Sequence, residues 1–196
     1  MSDTIIDQPN SPAGSRWLRS YYFTRAAASA VWVAAAVTLG TSAPAAAVLL
    51  VAYPTWDAVA NLVDAQRNGG MKRNPTQTLN VAVSAAATVA VTIALGISMN
   101  AVLAVFGVWA TLAGLAQLGT GVRRWKSAGA QWAMILSGAQ SALAGAFFLK
   151  QANAAAIPGI TDIAPYAAFG AFYFLVSALW LTVAAARARK AAPIRA

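Results

Sequence analysis

The sequence predicts an all-α, polytopic membrane protein: six transmembrane helices arranged as three pseudo-repeated hairpins, with both termini cytoplasmic. Three observations predict it. Of 196 residues, 59% are hydrophobic and 10% charged, against about 25% charged in an ordinary soluble domain. Six apolar runs follow one another along the chain, each close to the roughly 20 residues that a bilayer core requires. Thirteen of the fourteen Lys and Arg residues gather at one set of run ends, which the positive-inside rule reads as cytoplasmic.

Residues 1–15 are polar, carry Pro9, Pro12 and Gly14, and read as a disordered cytoplasmic tail. Asp3 and Asp7 do not suit the basic start of a signal peptide. The first apolar run also ends about 40 residues in, later than such peptides do, so it is expected to stay as a helix. The runs cover residues 21–40, 43–65, 78–99, 101–121, 130–150 and 165–186. They define a transmembrane domain over 16–190, with hairpins at about 21–65, 78–121 and 130–186, followed by a basic tail at 191–196.

Arg16, Arg19 and Arg25 precede or enter the first run, and Arg67, Lys72 and Arg73 separate the second from the third. Arg123, Arg124 and Lys126 separate the fourth from the fifth, and Arg187, Arg189, Lys190 and Arg195 follow the sixth. Only Lys150 lies at the other ends. Trp17, Tyr21, Tyr22, Trp125 and Trp132 fit an aromatic belt at the cytoplasmic interface. Thr41-Ser42 and Asn100 mark tight outer turns, Gly69-Gly70 a turn between cytoplasmic helix ends, and 151–164 a longer outer loop, read as plain, with a short helix at the interface as the alternative.

The three hairpins repeat. Tyr53-Pro54-Thr55-Trp56, Phe106-Gly107-Val108-Trp109 and Phe169-Gly170-Ala171-Phe172 each place two aromatics around a small residue or Pro. Asn61, Gly114 and Ser177 then fall in register, as do Asp64, Gln117 and Trp180. Each copy closes on a basic cluster, so the repeats are parallel and their pseudo-threefold axis lies along the membrane normal.

The stretch 105–149 carries Phe106-Gly107-Val108-Trp109, Gly114, Gln117, Arg123-Arg124, Trp132, Ser137-Gly138 and Gly145. It resembles the HdeD-like acid-resistance membrane proteins, bacterial inner-membrane proteins built from a short hydrophobic repeat of unknown function. The resemblance covers about 78–186. The first hairpin departs from it, with Tyr53-Pro54-Thr55-Trp56-Asp57 in place of the Gly-bearing motif. It implies six helices in three pairs, a bacterial inner-membrane location and a stress or acid-resistance role. It supplies no catalytic residues.

Gly107, Gly114 and Gly121 recur every seven residues, as do Gly138 and Gly145. Seven residues is close to two helical turns, so each set lines one face and is expected to form a packing seam between helices. On the second helix Tyr53, Asp57, Asn61 and Asp64 form one polar stripe. Asp57 lies 14 residues after Ala43 and Arg25 15 residues before Gly40, so the two meet at one depth in the hairpin. The same sum pairs Asp64 with Arg19. A lone charge in hydrocarbon costs about 2.5–3.5 kcal/mol or more, which makes intramembrane ion pairs Arg25–Asp57 and Arg19–Asp64 the expected arrangement. The other reading is a proton or ion relay at Asp57. Ala110 and Tyr173 hold the equivalent positions in the other repeats, and neither supports a relay running through all three. Pro54 is expected to kink the helix one turn above Asp57. Gln117, Gln131, Gln140 and Asn80 read as interhelical hydrogen bonders, and Ser84, Ser137, Ser141 and Thr111 as bonded back to their own helices.

The chain has no Cys, His or Glu. That excludes thiolate and His-based nucleophilic catalysis and Cys/His metal sites. No cofactor is expected, and no enzyme. The net charge of +9 follows topology rather than a nucleic-acid surface. Expected partners are membrane lipid, with self-association or a larger membrane complex. The functional expectation is a non-enzymatic stress-type or accessory membrane protein. The alternative is a small-solute or proton transporter or channel with its polar path along the second helix. A transporter needs polar residues on several helices at mid-depth, and the sequence places them on the second helix alone, which favours the first reading.

Overall fold

The computed structural model describes residues 12–123 and 131–191. Among them the chain is helical throughout, with no strand: α1 (Pro12–Leu39), α2 (Ala43–Arg67), α3 (Pro75–Leu95), α4 (Met99–Arg123), α5 (Gln131–Ala152) and α6 (Ala164–Ala191). Five of these, α1 to α4 and α6, are long and apolar enough to cross a membrane. The 22 residues of α5 pack along α4. This is a multi-pass membrane protein. Helices are its natural solution, because in lipid each backbone N–H and C=O must find a partner within the chain.

The first helix begins earlier than the sequence reading had it. Residues 12–15, assigned to the tail, are its first turn, and Pro12 suits an N-terminal position where no N–H is needed. The basic cluster Arg124 and Lys126, the side chains of Trp125, Gln131 and Trp132, and the tail 192–196 lie outside the described residues.

Three connections gather at one end of the bundle. Asn100, at the start of α4, donates to the carbonyls of Ala152 and Ala154 at 3.2 and 3.3 Å, tying the α3–α4 turn to the α5–α6 connection. That connection is not a plain loop. It contains a 3-10 turn at Ile160–Asp162, where Asp162 accepts the Gly159 N–H at 2.7 Å, and it buries Ile160 and Ile163 in the core. Burial removes Ile160 and Ile163 from solvent, whereas Ile157 in the same connection stays exposed. At the opposite, basic end, the α2–α3 connection turns through Gly69 and Gly70 at φ +95° and +89°, angles that favour glycine. Asn74 locks it by donating to the carbonyls of Asn68 and Gly70 at 2.8 and 2.9 Å.

The helices form a ring. The intimate contacts run between successive hairpins, α2 with α3, α4 with α5 and α6 with α1, and within the middle hairpin between α3 and α4, whereas α1 with α2 and α5 with α6 touch little. The glycines explain the tightest of these seams. Gly114 of α4 lies against Gly138 and Ala142 of α5, so that a Cβ on it would stand 2.6 Å from the Gly138 carbonyl oxygen and 2.5 Å from the Ala142 nitrogen. A Cβ on Gly107 would meet the Gly145 carbonyl at 3.0 Å, and one on Gly138 the Leu118 nitrogen at 2.6 Å. Gly145 faces Thr111 and the Gly107 carbonyl. Gly121, on the same stripe, is buried. Where lipid offers no hydrophobic gain, such backbone proximity is what holds helices together.

The apolar core sits toward the loop end. Trp32 and Ala36 late in α1, Leu50 early in α2, Val91 late in α3, Phe106 early in α4 and Phe148 late in α5 meet there with Ile160 and Ile163. Pro54 lies inside α2 and is buried, and the helix continues through it. Pro54 leaves the Leu50 carbonyl without its in-helix donor; the adjacent Leu49 carbonyl accepts the Trp32 Nε1–H at 2.7 Å.

Candidate functional site

Beside this core the ring borders a cavity of about 850 Å³ that reaches from Thr76 and Thr120 near the basic end to Asp162 and Pro165 at the loop end, with residues from all six helices in its wall. The repeat register accounts for much of that wall. Asp64, Gln117 and Trp180, equivalent in the three hairpins, all line it, as do Tyr53 and Phe169, Trp56 and Trp109, and Asn61 and Ser177. Positions that match by sequence therefore face one space.

Asp57 is the hub of the wall. Arg25 Nη2 donates to its Oδ1, forming an ion pair between α1 and α2. Asn61 Nδ2 and Ser84 Oγ donate to Oδ2 at 3.0 and 2.8 Å. Ser84 in turn accepts the Trp109 Nε1–H at 3.0 Å, which carries the network to α4. On the other side Arg25 Nη1 donates to Tyr21 Oη at 3.0 Å, and Tyr21 donates to the Ala60 carbonyl at 3.3 Å. Four helices are joined through one carboxylate. The pair is mostly buried, with 11% and 19% of the side chains exposed. Burial of two charges is tolerated when, as here, additional hydrogen bonds satisfy the carboxylate.

Arg19 and Asp64 do not pair. Among the described residues Arg25–Asp57 is the ion pair formed; Asp64 instead accepts from Asn68 Nδ2 at 2.9 Å and Gln77 Nε2 at 3.2 Å. Depth alone misled. Asp57 and Asp64 are seven residues apart and share a face, but Arg19 and Arg25 are six apart, which turns Arg19 about 120° away around α1.

Two further expectations are corrected. Ser84 and Ser141 bond across helices, not to their own: Ser84 to Asp57, and Ser141 to the Ala110 carbonyl and Tyr166 Oη, both at 3.0 Å. Polar groups are not confined to α2. Gln77 and Asn80 of α3, Gln117 of α4, Gln140 of α5 and Tyr173 of α6 all face the cavity, and Tyr173 Oη donates to Gln140 Oε1 at 2.7 Å. Trp56 Nε1 and Asn80 Oδ1, on wall residues, are buried with no hydrogen-bond partner. Of the residues missed, Trp109 and Tyr173 already stood in the repeat, and their polar tips were the available signal. Ser84 had none.

The wall is thinnest between α5 and α6. On α5 the side facing away from the glycine seam carries Leu143 and Phe147, which line the cavity and are 71% and 60% exposed. Phe169 and Trp180 of α6 are 53% and 60% exposed and line it too. On this side the cavity is thus bordered by an apolar slot of exposed side chains between α5 and α6. Among the described residues no group of Asp residues is placed to hold a metal ion.

No curated protein and no solved structure matches the chain. Residues 82–150, from α3 through α5, match the model of a family described as a short repeat of unknown function (DUF308). The match contains the Gly107–Gly145 and Gly114–Gly138 contacts, together with Ser84 and Trp109. Through this stretch the chain is similar to that short repeat, consistent with its resemblance to the HdeD-like membrane proteins.

Proposed function

We propose that this is a non-enzymatic protein of the bacterial inner membrane whose central cavity receives a small ligand from the cytoplasmic side or from the inner leaflet. The observation that carries the reading is the cavity itself, with polar side chains contributed by every helix in its wall. A protein that served only to pack against partners has no need of about 850 Å³ of lined space in its middle. With the basic ends cytoplasmic, we read the cavity, which reaches from Thr76 and Thr120 near that end to Asp162 and Pro165 at the loop end, as a vestibule. This revives the transporter alternative in a changed form, since the polar path belongs to all six helices and not to α2. A stress or acid-resistance setting is supported by the HdeD-like repeat alone.

Asp57 is a structural residue in this reading. Its carboxylate already takes bonds from Arg25, Asn61 and Ser84, which leaves little capacity to relay protons. The non-enzymatic assignment rests on the absence of Cys, His and Glu and on the engagement of that one hub.

Thiol accessibility tests the vestibule. The chain is free of Cys, so single cysteines at Gln117 and Gln140 can be probed with a small water-soluble thiol reagent, with Val89 on the lipid-facing side as control. Reaction at 117 and 140 but not at 89 is expected. Protection of both would mean a dry interior, and the packing-only accessory reading would replace the vestibule.

A further inference from the structure

The chemistry of the cavity wall selects the class of ligand. Its charged side chains are Arg25, Asp57, Asp64 and Asp162, one cation against three carboxylates. Arg25 is already neutralised by Asp57. Asp162 is turned to its own backbone at Gly159. Asp64 remains, held among the described residues by the neutral donors of Asn68 and Gln77, and it faces the basic half of the cavity from a half-buried position on α2.

Aromatic residues are the largest class in the rest of the wall, beside neutral polar and aliphatic ones. Twelve of the chain's aromatic residues line the cavity, out of seven Trp, five Tyr and seven Phe in all. Aromatic faces carry negative electrostatic potential and attract cations, the more so when the cation is desolvated. The protein already uses this chemistry on itself: the Arg25 guanidinium lies 4.3 Å from the Phe174 ring centroid and 5.8 Å from that of Tyr21. An anion entering the same space would meet a carboxylate that, among the described residues, forms no ion pair, together with the negative potential of aromatic rings.

We propose that the cavity binds an organic cation with an apolar body, such as a quaternary ammonium or phosphonium compound, with its charge balanced by Asp64 and the surrounding aromatic faces. This rests on the cavity being a ligand site, as argued above. The slot between α5 and α6 fits the same ligand. Leu143, Phe147, Phe169 and Trp180 form an apolar border between bilayer and cavity, passable for a cation whose charge is shielded by hydrocarbon and costly for a small hydrated ion.

The test uses two probes of one shape and opposite charge. Purified full-length protein in neutral micelles is equilibrated with tetraphenylphosphonium or tetraphenylborate, and binding is measured by equilibrium dialysis against protein-free micelles. Saturable binding of the phosphonium and none of the borate is expected. Asp64→Asn should weaken phosphonium binding at least tenfold while Asp64→Glu retains it, with melting temperatures recorded for both. Gln117→Lys, which puts a positive charge at the equivalent position of the second repeat, should abolish phosphonium binding by a separate route and keeps the test open if Asp64→Asn does not fold. Equal binding of the two ions, or binding indifferent to both Asp64→Asn and Gln117→Lys, overturns the cation proposal. Binding of neither ion overturns it as well, and the vestibule then stands or falls separately on the labelling of residues 117 and 140.

Discussion

The Arg25 guanidinium of α1 lies over the Phe174 ring of α6, 4.3 Å from its centroid, so one side chain joins the last helix to the first and, through Asp57, the first to the second. The contact adds to the close packing of α1 on α6 in the middle of the cavity wall, between Leu18 and Ser29. It explains how α1 and α2 are held although they touch little directly: the polar network supplies the connection that side-chain packing does not.

Removing one partner of that network should therefore cost more than removing both. Asp57→Asn leaves Arg25 buried without its counter-ion, and breaking a buried pair in this way typically costs about 3–5 kcal/mol. Arg25→Gln combined with Asp57→Asn leaves no lone charge and should recover part of the loss. Thermal melts of the two variants in one detergent provide the comparison. A double variant as unstable as the single one would show that the geometry of the hydrogen bonds matters and the charge does not.

The α4–α5 seam makes a sharper prediction. At Gly114 any side chain meets backbone atoms of α5 at about 2.5 Å, and backbone cannot swing aside. Gly114→Leu should lower stability by about 1–3 kcal/mol or more and separate α4 from α5. Val108→Leu, on the exposed side of the same helix, should leave the melt unchanged. Similar melting temperatures for the two variants would mean that the seam is not the site of closest approach.

Trp109 separates packing from hydrogen bonding. Trp109→Phe keeps most of the ring, which packs edge-on against Phe106 and Tyr53, but loses the donor to Ser84. A loss of about 0.5–1.5 kcal/mol is expected, the net worth of an ordinary hydrogen bond. Trp109→Ala should lose about 3–5 kcal/mol. Equal losses would assign the whole effect to the indole N–H.

Topology is open to direct labelling. The turn at Ser98 and the connection at Ile157 lie at the loop end, and Lys72 lies at the basic end. With the basic ends cytoplasmic, an impermeant thiol reagent on intact cells should modify Ser98→Cys and Ile157→Cys, and should reach Lys72→Cys only after lysis. The reverse pattern would invert the molecule and turn the vestibule outward.

The sequence by itself determined the membrane class, the helix count and the small-residue stripes, because these depend on local quantities: run length, composition and a 3.6-residue period. It also determined which positions are equivalent, and the register Asp64, Gln117 and Trp180 proved to be a ring around one cavity. Only the tertiary structure decided which helix each face meets. Val31, Val48 and Ile93 are as apolar as Leu50 and Val91, yet the first three are exposed and the last two buried, because lipid accepts an apolar side chain as readily as a core does and hydrophobicity no longer separates inside from outside. Depth matching placed Arg25 beside Asp57 and gave the same weight to Arg19 and Asp64; the angle around the helix axis, set by how α1 docks between α2 and α6, admitted the first pair and refused the second. Ser84 is the extreme case. A lone serine in an apolar helix carries no signal of its own, and its role exists only where α3 brings it between the Asp57 carboxylate and the Trp109 indole.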